Sequence, residues 1–166
     1  MSDPVSEARQ RLHQYLTARS HKLKHRLGSG AHGMVFSSDA GTAVKAFSAQ
    51  SPFLREAACY RRLRENGVLE ITGHHVPQIV AVDEGLLIME LTIVQPPFLL
   101  DFAGAYLDWP PEFSDEVLAQ WQHDKAEQFG IRWPHVQNIL AILEHQYGIF
   151  MIDVHPGNIA FAQDGP

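Results

Sequence analysis

A lysine in the middle of a short apolar strand leaves a chain few ways to fold. Lys45 lies in Thr42-Ala43-Val44-Lys45-Ala46-Phe47, a run whose length and apolar content predict a strand. Its ammonium either snorkels to solvent from an edge strand or meets a counter-charge inside the protein. The next segment offers one. Ser51-Pro52 predicts a helix start, with Ser51 as N-cap and Pro52 at the first position, and Asn66-Gly67 predicts its end. Within that helix Phe53, Glu56, Tyr60 and Leu63 are spaced by three, four and three residues, so a carboxylate shares the apolar stripe. Either charge buried alone is costly, and each is the other's remedy. A Lys45–Glu56 pair between strand and helix is the expectation. Arg55, Arg61, Arg62 and Arg64 fall mostly off that stripe, to be solvated or to grip a partner.

Ahead of the strand stands Gly28-Ser29-Gly30-Ala31-His32-Gly33, a G-x-G-x-x-G turn whose glycines let the backbone approach a phosphate with its N–H groups inward. A dinucleotide fold needs a helix after these glycines. Here Met34 to Ser37 and the Ser38-Asp39-Ala40-Gly41 turn predict a hairpin instead, which suits a lid over a nucleotide. Further upstream, Val5, Ala8, Leu12, Tyr15 and Leu16 recur at helical spacing. Ser20 to Leu27 alternates as a half-exposed strand, and its Lys22, Lys24 and Arg26 read as a solvated face rather than a binding patch.

Beyond the helix, Gln78 to Val82, Asp83-Glu84-Gly85 and Leu86 to Leu91 predict a second hairpin whose second strand is buried on both faces. Pro96-Pro97 ends this part, and Phe98 to Pro111 reads as a short helix or irregular. Ser114 caps a helix running to about Phe129, with Gly130 as its stop. Pro134 opens another to Tyr147, with Val136, Ile139, Leu140, Leu143 and Tyr147 as its core stripe and Gly148 as its end.

That last helix delivers the chain to Ile152-Asp153-Val154-His155-Pro156-Gly157-Asn158-Ile159, a loop between two apolar runs. A fixed Asp153 can orient a hydroxyl and accept its proton, and the Asn158 amide oxygen can ligate a hard cation such as Mg²⁺. The same residues also make an ordinary Pro-Gly turn.

Composition narrows the classes. The 166 residues suffice for one domain or two small lobes, and 45% hydrophobic content allows a shared core. A single cysteine, Cys59, excludes an internal disulfide framework and a Cys-based zinc site. No apolar run approaches membrane-spanning length and the N-terminal stretch is charged and amphipathic, so the expectation is a cytoplasmic protein without a membrane partner. The net charge of −6 conceals a division: residues 1–66 carry 11 Lys/Arg and 5 Asp/Glu, residues 67–166 carry 2 and 14. An anion bound by the first part and a cationic partner near the second fit that asymmetry, as does a solvated acidic surface. Nucleic acid is not favoured, since the basic residues are few and lack an aromatic platform. The ten histidines show no zinc-ligand spacing.

Taken in order, a glycine hairpin, a strand Lys, a helix Glu, a buried strand ending Met-Glu-Leu, connecting helices and Asp-x-x-x-x-Asn resemble the protein kinase-like superfamily, from about Leu23 to Phe161. The loop is similar to that of aminoglycoside phosphotransferases and related bacterial atypical kinases. The resemblance implies an α+β fold: an antiparallel β-sheet N-lobe with one packed helix over residues 1–95, and a reduced helical C-lobe with the catalytic loop over residues 96–166. It implies that Gly28, Gly30 and Gly33 cover the phosphates of ATP. Lys45, paired with Glu56, would contact the α- and β-phosphates; Val35 and Ala43 would sandwich the adenine. Met89 would gate the adenine pocket, and backbone groups from Glu90 to Thr92 would hold the base. Asp153 is implied as catalytic base and Asn158 as the Mg²⁺ ligand.

Two departures matter. Met151-Ile152 replaces the His-Arg of common protein kinases, and His155 either approaches the γ-phosphate or shapes the turn. Kinases of this type also place a second metal-binding Asp beyond a hairpin that follows the Asn. Here the sequence stops at Asp164-Gly165-Pro166, and Asp164, close behind Asn158, is a poor substitute. Three expectations follow. One is an active ATP-dependent phosphotransferase acting on a hydroxyl of a protein Ser/Thr or a cationic small molecule. Another is a nucleotide-binding pseudokinase that regulates a partner. The third is a fragment truncated after the catalytic loop.

Overall fold

In the computed structural model, which describes residues 3–162, the chain begins with α1 (Pro4–Ala18). The Asp3 carboxylate accepts from Val5 N–H and Pro4 presets the first turn. Ala8, Leu12, Tyr15 and Leu16 are buried as their spacing predicts, whereas Val5 is exposed. Then follow β1 (Leu23–Gly30), β2 (Gly33–Ser38), β3 (Thr42–Phe47) and α2 (Gln50–Glu65). Short strands β4 (Glu70–Ile71) and β5 (His74–His75) precede the hairpin β6 (Ile79–Asp83) and β7 (Ile88–Thr92). The remainder is β8 (Phe98–Leu99), β9 (Tyr106–Leu107), α3 (Asp115–Phe129), a 3₁₀ turn (Gly130–Arg132), α4 (Trp133–Tyr147), β10 (Ile149–Phe150) and β11 (Ile159–Ala160). The fold is α+β. Its main sheet is antiparallel, in the order β1-β2-β3-β7-β6.

Strand alternation divides β3 between two layers. Val44 and Ala46 face α1, forming a small core with Leu12, Tyr15, Met34 and Ile88. Lys45 and Phe47 face α2, whose Phe53, Ala57, Tyr60 and Leu63 are buried with Met89 and Leu91. That second core continues without a break through Phe102, Val136, Ile139, Leu143 and Val154. Each such side chain contributes about 1.5–3 kcal/mol by leaving water. Polar bonds fix α1 on its face of the sheet. Tyr15 Oη donates to Glu90 Oε2 (2.7 Å) and Thr42 Oγ1 to Glu90 Oε1 (2.5 Å). Arg11 donates to the carbonyls of Leu86 (2.8 Å) and Phe47 (2.7 Å).

Several local expectations change. Ser51 is not the N-cap of α2: the helix already includes Gln50, Ala49 occupies the cap without a side-chain bond, and Ser51 Oγ accepts from Arg55. Leu86 and Leu87 belong to the β6–β7 turn, Leu87 with φ +53°, because Asp83 Oδ1 accepts from Leu86 N–H and closes a wider turn. The stretch from Phe98 to Pro111 holds two short strands rather than a helix. β8 pairs with β11 and with β5, and β9 pairs with β10. The ends of α3 and α4 are as anticipated: Ser114 Oγ accepts from Val117 N–H, and Gly148 at φ +64° takes the left-handed position that closes α4. Arg62 ties α2 to this end, gripping both Asp108 oxygens (2.7 and 3.1 Å) and the Tyr147 carbonyl (3.1 Å). No helix among the described residues is long and apolar enough to cross a membrane.

Among the described residues one buried side chain has ring nitrogens with no partner in hydrogen-bond geometry. His74 on β5 is 2% exposed, neither ring nitrogen has a hydrogen-bond partner, and the ring packs on Phe161 (4.8 Å between centroids) and His135 (5.3 Å). Burial lowers its pKa, against a raising pull from the Thr72 backbone and with the neighbouring His135 and His75 adding to the fall. An unfolded histidine protonates near pH 6.5. Unfolded chains therefore take up this proton first as pH falls, and the stability His74 lends above that value is lost down to its folded pKa. The expected result is a melting temperature that falls as pH drops below about 6.5, with a shallower fall in His74→Phe. Equal slopes for the two proteins would assign the effect to other groups.

Candidate functional site

β1 and β2 meet at Gly30 and Gly33, so the glycine-rich segment is a tight hairpin closed by Ala31-His32. Gly33 is required there. Its φ is +149°, and a Cβ would lie 2.1 Å from the Ala46 carbonyl oxygen, closer than any side chain permits. Gly28 and Gly30 have open space where a Cβ would be. Across the sheet Val35, Lys45 and Met89 stand opposite one another, and Ala43 lies two residues from Lys45 on the same face. Four of the residues named from the sequence thus share one face of the sheet next to the glycine hairpin, Lys45 and Met89 being buried on it.

Glu90 and Thr92 do not add side chains to that surface. They point to the α1 face, where Glu90 is bonded to Tyr15 and Thr42. Thr92 N–H donates to the Gln78 carbonyl and Thr92 Oγ1 accepts from Gln78 N–H, both at 2.9 Å.

Lys45 is buried and its Nζ sits 2.7 Å from Glu56 Oε2, the contact the two sequence positions demand. A second carboxylate is present. Asp101 Oδ1 lies 3.4 Å from the same nitrogen, and the Phe47 ring is 4.8 Å from it. Burial opposes the Lys45 ammonium, but the two carboxylates outweigh it and its pKa rises. Glu56 is pushed up to about 7 by burial, against the pull of Lys45 and with the repulsion of Asp101 added. The cluster holds one cation and two carboxyl groups, of which Glu56 is only partly ionised near neutral pH.

Asp101 reaches this position through strand pairing between segments far apart in the chain. β8 runs antiparallel to β11, Leu99 opposite Ile159, and Leu100 N–H donates to the Asn158 carbonyl (2.9 Å). The next residue, Asp101, adopts φ +70°, a conformation that asparagine and aspartate tolerate better than most. Its N–H donates to Tyr60 Oη (3.3 Å), and Phe102 packs edge-on against the Tyr60 ring at 5.1 Å. Two residues later the chain touches the other loop: a Cβ on Gly104 would lie 3.6 Å from Asp153 Cβ. Lys45, Glu56 and Asp101 are thereby linked to the Asp153-to-Asn158 loop.

Within that loop Asn158 is buried and Asp153 exposed. Asn158 Nδ2 donates to the Asp153 carbonyl (2.9 Å), which leaves its amide oxygen as the side chain's ligating atom. His155 Nδ1 accepts from Gly157 N–H (3.0 Å), which puts the ring proton on Nε2, 3.9 Å from Asp153 Oδ1. His155 thus shapes the turn. β10 and β11 flank the loop as expected, each anchored to a different partner strand. Asp164 lies outside the described residues.

No group of three or more His, Cys, Asp or Glu side chains among the described residues is arranged to hold a metal ion. The oxygen donors nearest in the chain's pairing are the Asp101 carboxylate, which follows Leu100, and the Asn158 amide, whose backbone carbonyl accepts from Leu100 N–H; both are of a type that suits Mg²⁺. That ion commonly takes one or two protein oxygens and completes its shell with water and phosphate. The chain matches no protein-family model and no curated protein sequence.

Removing one member of the cluster isolates the others. Lys45→Met leaves Glu56 buried beside Asp101 without a cation and is expected to cost about 3–5 kcal/mol in denaturant unfolding, whereas Lys45→Met/Glu56→Leu recovers most of that loss. A Lys45→Met protein as stable as the parent would show that the pair is not buried in solution.

Proposed function

We propose that this protein is an ATP-dependent phosphotransferase of the protein kinase-like superfamily. The observation that carries the proposal is the Lys45 ammonium held between Glu56 and Asp101, on the strand that packs against Gly33 of the glycine hairpin. Residues 1–95 act as the nucleotide lobe and 96–166 as the loop-bearing lobe. The apolar surface of Val35, Ala43 and Met89 takes the base, and the backbone of Gly28 to Gly33 covers the phosphates. Backbone from Glu90 to Thr92 edges the base through groups other than the Thr92 N–H, which the sheet already uses. Lys45 is the point charge that orients the phosphate chain, and Glu56 keeps its ammonium in place.

Mg²⁺, when bound, offsets charge on the phosphates, and Asp101 with Asn158 are the residues that would hold it. Asp101 answers the apparent lack of a second carboxylate in the sequence. It precedes the Asn158 loop in the chain instead of following it, and β8 pairing with β11 brings it back. This favours the active enzyme over a module that only binds nucleotide. Asp153, exposed and backed by the Asn158 bond, is the base that accepts the proton of an acceptor hydroxyl, with the His155 Nε2–H face turned toward it. The acceptor is a protein Ser/Thr or a cationic small molecule, and the site of action is the cytoplasm.

The test is ATP binding and γ-phosphate transfer, with and without Mg²⁺, in the parent, Lys45→Ala, Asp101→Asn and Asp153→Ala. Lys45→Ala is expected to lose nucleotide affinity. Asp153→Ala should keep affinity and lose turnover by about 10²–10⁴-fold, and Asp101→Asn should bind nucleotide with little response to Mg²⁺. A parent that binds no ATP would overturn the proposal; one that binds it without any turnover would establish the binding-only module.

A further inference from the structure

The acidic part of the chain displays an apolar surface that the proposed phosphotransfer does not use. Of the twelve large hydrophobic side chains exposed among the described residues, six lie between Tyr106 and Ile131. The first half of α3 is entirely exposed, and Phe129 at its far end is the helix's one buried residue. Phe113, at 50% exposure, precedes the Ser114 cap; Val117 (53%) and Leu118 (47%) follow one turn later. Phe113 and Leu118 occupy the two positions that flank a helix N-terminus on one side, and Val117 stands one helical turn from Phe113, so the three exposed side chains are grouped in a strip at the start of α3. Trp121, one turn on, packs on Trp133 with ring centroids 6.0 Å apart. The strip is therefore a continuation of the α3–α4 contact that nothing among the described residues covers. A strip of this kind on a water-facing helix marks an interaction surface.

Charge restricts what can cover it. From Asp108 to Glu127 there are six carboxylates and one ammonium, Lys125. Asp115 and Glu116 suit the positive end of α3, but Glu112, Asp124 and Glu127 lie outside that first turn. A phosphate backbone or an anionic lipid leaflet would be repelled. A basic segment would be drawn in and oriented. We infer that the strip of Phe113, Val117 and Leu118 on α3, with Glu112 and Glu116 beside it, is a docking site for a basic amphipathic segment of a partner protein. Leucine-type anchors of that segment would cover the strip while its lysines or arginines meet the carboxylates. The site works by binding alone and does not depend on the phosphotransfer proposal.

A fluorescein-labelled amphipathic peptide of leucine and lysine is the probe, and the same peptide with glutamate for lysine is its control. Anisotropy titrations of the whole chain should show saturable binding of the lysine peptide that weakens with added salt. Val117→Ser/Leu118→Ser and, separately, Glu112→Lys/Glu116→Lys should each weaken it by about tenfold or more, with unchanged circular dichroism. Glu70→Lys/Glu84→Lys, equal in charge change but on the β4 strand and the β6–β7 turn, should leave it intact. Should the serine pair perturb folding, the lysine pair, made at exposed positions, decides alone. Equal affinity for the glutamate peptide, or equal weakening by the Glu70/Glu84 pair, would overturn the proposal. So would concentration-dependent self-association of the peptide-free protein that Val117→Ser/Leu118→Ser abolishes, since a second copy would then be the occupant.

Discussion

Everything in this structure that bears on chemistry depends on an ammonium held out of water between two acids. Lys45 meets Glu56, eleven residues on, and Asp101, fifty-six residues on, so the sheet, α2 and the segment after β8 must all be in place together. A buried pair of this type adds little net stability over an apolar packing of the same volume, because desolvation offsets attraction. Its presence is better accounted for by position. The three groups tie the sheet, α2 and the segment after β8 to one point, and it is there that the proposed function places the phosphates.

The rest of the fold serves that placement in two layers. On one face of the main sheet α2 carries Glu56 and Tyr60, the first for Lys45 and the second for the backbone of Asp101. On the other face α1 is fixed by Arg11 and Tyr15, and Glu90 is directed there, away from Lys45. Two two-residue strands then do what length alone does not suggest. β8 and β11 bring Asp101 beside Asn158, and the Gly104 position places the same segment against Asp153.

How much of this was legible depended on whether a constraint was local. Lys45 with Glu56 could be read because both charges lie on strongly patterned apolar faces, where an unpaired group is too costly to leave. The caps at Ser114, Gly130 and Gly148 were legible for the same local reason, since turn chemistry is written in single residues. Asp101 was not. Its partner is fifty-six residues away, β8 is too short to show a period, and Leu99-Leu100-Asp101-Phe102 looks like any apolar stretch with one acid. The available signal was the placement of an aspartate directly after an apolar run that had to be buried. Ser51 failed as a cap because neighbouring residues extended α2 by a turn's beginning, and helix starts are soft to within a residue or two. Tyr15 with Glu90 was hidden by distance, although a carboxylate inside Ile88-Met89-Glu90-Leu91 already required a donor.

In the proposed function Asp101, from ahead of the loop, and Asn158, from within it, would complete one site with Lys45. A crystal structure of the chain with Mg²⁺ and a non-hydrolysable ATP analogue tests it most directly. The proposed phosphotransferase would show the phosphates beneath the Gly28 to Gly33 hairpin, Lys45 on their oxygens, and a metal ion touching both the Asp101 carboxylate and the Asn158 amide oxygen. A nucleotide bound elsewhere, or a metal ion that leaves Asp101 on Lys45 and takes neither of these oxygens, would contradict it.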